Sequence, residues 1–257
     1  MRSIFPILWI ILNFFCFLLA LLSFVVWFLN KHSSSILKDA SLVISIILHL
    51  TTSFYGLKIT SNIGQSIFKR LLINFSFHNG TVSIAFLSTK MKPILWIISL
   101  CLHSFYQVLN YFVIQILPRF GEGNLITHLL TRLYRKLTCR YRINLCISLC
   151  ELATLGSIVQ FKKNYHKVLV STISSFYIVW YLLYRYSSSR AHQIIWNYIY
   201  FLFVSFSGRV PTFIGTFILK LCQIFSTFGT MCSNIYQISY QPNSSHLVQT
   251  EVYEMNI

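Results

Sequence analysis

Carboxylates are scarce. The 257 residues include five: Asp39, Glu122, Glu151, Glu251 and Glu254. Paired-carboxylate catalysis, carboxylate-rich metal sites and most phosphoryl-transfer sites need more acids, and need them clustered. Charge of either sign is also thin, at 10% of residues, where a soluble domain carries about 25%. The nine glycines never form a phosphate-cradling loop, and a Gly-x-Ser-x-Gly elbow is missing. The eight histidines are scattered singly and offer no ligand set for a membrane metalloenzyme. Most of the seven cysteines lie inside apolar stretches. Cys146 and Cys150 are four apart, but no histidine pair accompanies them at zinc-ligand spacing. Little room remains for an enzyme, a metal site or a bound cofactor.

What the chain does have is apolar length. Hydrophobic residues make up 55% and aromatics 17%, and the mean hydropathy is +0.64. Such runs describe an integral membrane protein. The expected fold is all-α, a polytopic helical membrane protein with an interfacial amphipathic C-terminal helix. Against the acids stand 21 Lys and Arg, a net +16. These cations punctuate apolar segments, so they read as loops held against anionic headgroups rather than as a nucleic-acid surface. Aromatics interleaved with Arg are likewise assigned to the bilayer interface, not to bases.

Residues 4–29 form the first expected span, a signal anchor stopped by Lys31 and His32. The region is too long for a cleaved signal peptide, and no small-x-small site follows it. Further spans are expected at 40–57, 71–89, 93–117, 143–161 and 168–184. Within 71–89 the His78-Asn79-Gly80 step is a weak point, and 40–57 with 71–89 forms a shallow hairpin as the alternative. Pro93 opens the 93–117 helix and Pro118 closes it. With six crossings, the loops on the N-terminal side hold twice the Lys and Arg of the opposite side. The positive-inside rule then places both termini in the cytoplasm. The 118–142 loop contributes Arg119, Arg132, Arg135, Lys136, Arg140 and Arg142. Leu125, Leu129, Leu130 and Leu133 recur there at helical spacing, as in a surface-lying basic helix; a purely topogenic cluster is the alternative.

Past residue 184 the character changes. Residues 185–234 read as an aromatic and amphipathic membrane-surface region, and 235–257 as a polar tail. In 212–230, Phe213, Phe217, Leu221 and Phe225 share one helical face, with Lys220 placed near the headgroups. That pattern predicts a helix lying on membrane lipids; a re-entrant or spanning hairpin is the rival. Arg185, Tyr186 and Arg190 read as anchors seating the end of the last span. Glu151 is the one acid inside an apolar run, with His103 among the few polar groups available to it. It serves either as structural glue between helices or as the centre of a small transporter or channel. The sequons at Asn74, Asn79 and Asn243 are expected to stay unglycosylated.

The stretch Trp180-Tyr181-Leu182-Leu183-Tyr184-Arg185-Tyr186-Ser187-Ser188-Ser189-Arg190 resembles the transmembrane protein 33 family, which includes the related fungal pore-membrane nucleoporins. Animal members carry Leu-Arg-Tyr-Ser-Ser-Arg-Arg at the end of the last span, and Arg185, Tyr186, Ser187, Ser188 and Arg190 match it in order. Arg142 to Leu152 looks like the family helix with a Cys-Asn-Glu core, which puts the family glutamate on Glu151. Leu102-His103 resembles a Leu-His step late in an earlier helix. Cys150 replaces the family asparagine, and Ser189 replaces an arginine. The likeness runs from about residue 40 to 234. It implies a non-catalytic, multi-spanning protein of the endoplasmic reticulum and nuclear envelope. Its implied partners are reticulon-type membrane-shaping proteins and nuclear pore components.

Overall fold

The computed structural model describes residues 5–59, 74–90, 93–119, 125–139, 142–154, 168–220, 223–224 and 227. Every regular element among them is helical. In chain order they are α1 (Phe5–Leu29), α2 (Lys31–Ile59), α3 (Phe75–Ser88), α4 (Ile94–Tyr111), α5 (Leu125–Thr138), α6 (Arg142–Ala153), α7 (Val168–Ser188) and α8 (Arg190–Ser207). Residues 212–220 are helical as well. Among the described residues, Phe5–Leu29, Lys31–Leu57 and Ile94–Arg119 are long and apolar enough to cross a membrane.

One residue, Asn30, separates α1 from α2. Its side-chain oxygen accepts from the backbone N–H of His32 (2.9 Å) and of Ser33 (3.2 Å), satisfying donors that a helix start leaves orphaned. α1 ends at Leu29, ahead of Lys31 and His32 as expected, but the loop expected at 30–39 is helix from Lys31 onward. The two helices run antiparallel, since Phe5 stacks on Tyr55, Cys16 approaches the Ser41 carbonyl and Ser34 Oγ donates to the Ser23 carbonyl at 2.8 Å. Their seam is built of small side chains. Cys16, Ala20 and Ser23 on α1 and Ser34, Ser41 and Ser45 on α2 are all buried, which lets the backbones close in.

The second departure concerns length. Asn74 caps α3 through the Phe77 N–H, so that helix has 14 residues. At about 1.5 Å per residue it covers roughly 21 Å, short of the roughly 30 Å hydrocarbon layer. Within the expected span 71–89, of which 71–73 lie outside the described residues, the described helix is α3, packed on α2 and α7. Gly80 is what admits it: a Cβ there would stand 3.3 Å from His49 Cβ. Of the expected span 143–161, α6 covers 143–153; 155–161 lie outside the described residues.

Helix α4 ends as Pro118 requires. Proline has no N–H to donate and crowds the carbonyl four residues back. The chain widens into a π turn over Phe112–Ile116 and then tightens to a 3-10 turn at Leu117–Arg119. The segment expected to lie in the interface at 191–208 is helix α8, entered through an extended residue, Ser189.

Polarity is inverted relative to a water-soluble protein. Asn13, His49, His78, Asn79, Glu151, Arg185 and His192 are buried, whereas Ile7, Phe14, Phe28, Phe54, Phe176 and Phe201 are exposed. An apolar exterior around a hydrogen-bonded polar interior suits a helical membrane protein.

Candidate functional site

Glu151, in the last turn of α6, is 2% exposed and lies where four helices meet. Its Oε2 accepts from Arg185 Nε of α7 at 3.1 Å and from His192 Nε2 of α8 at 2.6 Å. Its Oε1 accepts from Ser99 Oγ of α4 at 3.4 Å. A carboxylate in this setting needs a counter-charge and hydrogen-bond donors, and the two residues flanking the Ser189 elbow supply most of them. His192 Nδ1 is buried without a hydrogen-bond partner among the described residues. A neutral imidazole protonated on Nε2 fits that arrangement: the guanidinium already balances the carboxylate, and Nδ1 is then an acceptor rather than an orphaned N–H.

The elbow explains how this geometry arises. Ser189 takes φ −126° and ψ 118°, and its N–H still donates to the Arg185 carbonyl. The break lets α8 swing back so that His192, seven residues after Arg185, meets the same carboxylate oxygen. Arg185 is also fixed from its other face, with its guanidinium carbon 4.2 Å from the Phe75 ring centroid of α3, a cation–π contact.

Beyond the carboxylate, polar side chains continue the junction. Tyr181 donates to Asn79 Oδ1 at 2.7 Å, and Tyr177 pairs with His78 Nδ1 at 2.7 Å. Those bonds tie α7 to α3 through the His78-Asn79 step that made the segment look weak as a span. His103 of α4 sits edge-on to Phe75, centroids 5.6 Å apart, and 6.2 Å from the His49 ring of α2. Around the polar residues, Trp96, Ile97, Ile178, Tyr181 and Leu182 close an apolar shell.

Arg185 occupies the expected end of its helix, but its side chain turns inward. It is buried at 7% exposure because Glu151 attracts it. Tyr186 is half-buried with its ring edge-on to Trp196, and Arg190 is exposed at the first position of α8. His103 comes near the junction through Phe75. His192 went unrecognised as a partner of Glu151, although its spacing of two helical turns from Arg185 was a usable signal. Of the residues expected to meet the membrane surface, Phe213, Phe217 and Lys220 are exposed on residues 212–220; Leu221 and Phe225 lie outside the described residues. Gly215 faces back onto α8, where a Cβ would stand 2.5 Å from the Ser207 carbonyl oxygen.

No protein-family model matches this chain, and neither a curated protein nor a solved structure is significantly similar to it.

Proposed function

We propose that this chain is a non-enzymatic, multi-pass membrane-organising protein of the endoplasmic reticulum and nuclear envelope, with both termini in the cytoplasm. It acts through protein partners, of reticulon type or from the nuclear pore, and by resting its C-terminal region on membrane lipids. The observation that carries this reading is the aromatic surface after the Glu151 junction. Tyr198, Phe201 and Phe206 of α8, then Phe213 and Phe217, all stand exposed, beside a turn tightened at Gly215. Such a surface is suited to the acyl boundary beneath the headgroups. The Arg185–Arg190 block behind the family resemblance is also the elbow that closes the junction.

The rival, a small transporter or channel worked by Glu151, loses support from that carboxylate's partners. Each oxygen is occupied, and the cation beside it comes from the protein itself. Tagged full-length protein should give a reticular network with a nuclear rim, and its C-terminus should be accessible after selective plasma-membrane permeabilisation. Signal confined to the plasma membrane or to another organelle would sink the reading. Replacing Phe217 and Leu221 by Asp in the full chain should expose 209–234 to protease on vesicles. Glu151→Gln should leave ion flux in reconstituted vesicles unchanged; loss of flux with retained folding would favour the transporter.

A further inference from the structure

Helix α5 presents two flanks to the outside. Leu125, Leu129 and Leu133 recur every four residues and are 72%, 54% and 41% exposed. Arg132, Arg135 and Lys136 are exposed beside them. At about 100° per residue the three leucines fill one arc of the wheel. Arg132 and Arg135 fill the adjacent arc, and Lys136 falls between Leu125 and Leu129. The buried side of the helix is held in place independently. Tyr134 donates to Asn110 Oδ1 at 2.8 Å and stacks on Tyr106, centroids 6.2 Å apart and planes 6° from parallel. Helix α5 is thereby pinned beside α4, just past the π turn and Arg119 where that candidate span ends.

We infer that α5 is a docking surface for anionic phospholipid, with the leucine flank seated among the upper acyl chains and Arg132, Arg135 and Lys136 on the lipid phosphates. Charge complementarity selects this occupant: Arg132 and Arg135 flank an apolar strip into which Lys136 projects, held at the end of a candidate span, and a leaflet rich in anionic headgroups matches both the apolar and the cationic groups. The inference uses the membrane embedding and is independent of the organising role, because it requires no protein partner.

The test uses the full-length chain, one copy per nanodisc. A polarity-sensitive dye is attached to Leu129→Cys, with the exposed Cys139 and Cys146 replaced by serine. Emission should shift to the blue in discs containing phosphatidylserine relative to phosphatidylcholine alone, and high salt should reverse the shift. Arg132→Glu with Arg135→Glu and Lys136→Glu should abolish it, whereas Arg132→Lys with Arg135→Lys should retain it. The milder Arg132→Gln with Arg135→Gln should give an intermediate shift, which keeps the test decisive if the reversed variant fails to fold. Equal emission in both lipids, or a shift indifferent to charge reversal, would overturn the inference. Partner binding measured on the same chain reports separately on the organising role.

Discussion

The α1–α2 pair and the Glu151 junction solve the same problem by opposite means. Helices in lipid gain little from hiding apolar surface against each other, so close packing and polar bonds must hold them. Along α1–α2 the contacts described are hydroxyl bonds and close packing. Serine hydroxyls mostly answer carbonyls of their own or the facing helix, as Ser23 does with Ala20 and Ser34 with Ser23, and small side chains bring the backbones together. At Glu151 a single carboxylate draws α4, α7 and α8 toward α6. The first arrangement is spread over many weak contacts and tolerates the loss of one. The second concentrates specificity in a few groups and fails when one is removed.

The largest effect should come from unbalancing the junction. Arg185→Leu leaves a buried carboxylate without its counter-charge and should cost about 3–5 kcal/mol, read as a lower thermal midpoint of the purified chain in detergent. Adding Glu151→Gln should restore much of that loss. If the two losses instead simply add, the ion pair is not the unit that holds these helices. A middle-sized effect is expected where close approach matters. Gly80→Leu drives a side chain into His49 and should cost about 1–3 kcal/mol, while Gly80→Ala needs only a few tenths of an ångström of give. Protease resistance of the α2–α3 pair separates the two variants. Smallest should be Ser34→Ala, which removes the 2.8 Å bond to the Ser23 carbonyl across α1–α2. Interhelical bonds of this kind average about 0.6 kcal/mol, so the midpoint should barely move; a large drop would erase the contrast between the two regions.

Much of the architecture was legible in the sequence. The charge-free stretch after Arg2 marks α1, Pro118 marks the final turn of the helical run that α4 begins, and an acid in an apolar run marks the junction. Where structure and expectation differ, polar residues carry the difference. Lys31 and His32 do follow the end of α1 at Leu29, but Asn30 before them caps a second helix at once. His78-Asn79-Gly80 looked like a break, but Tyr177, Tyr181 and the small Gly80 make it an interface. Arg185 looked like an anchor because composition cannot show that Ser189 folds α8 back. Pairings across six helices depend on where chain breaks aim each segment, and a linear pattern encodes those angles poorly.

Asn30 has a consequence for how the chain is made. A one-residue connection leaves no stretch of polypeptide on which α1 could settle across the bilayer while α2 waits outside. If both candidate spans cross a membrane, they are expected to enter as a coupled pair with Asn30 at the tip. Lengthening that tip with a flexible insert would uncouple the entry of α2 from that of α1, and membrane integration during synthesis would become stepwise.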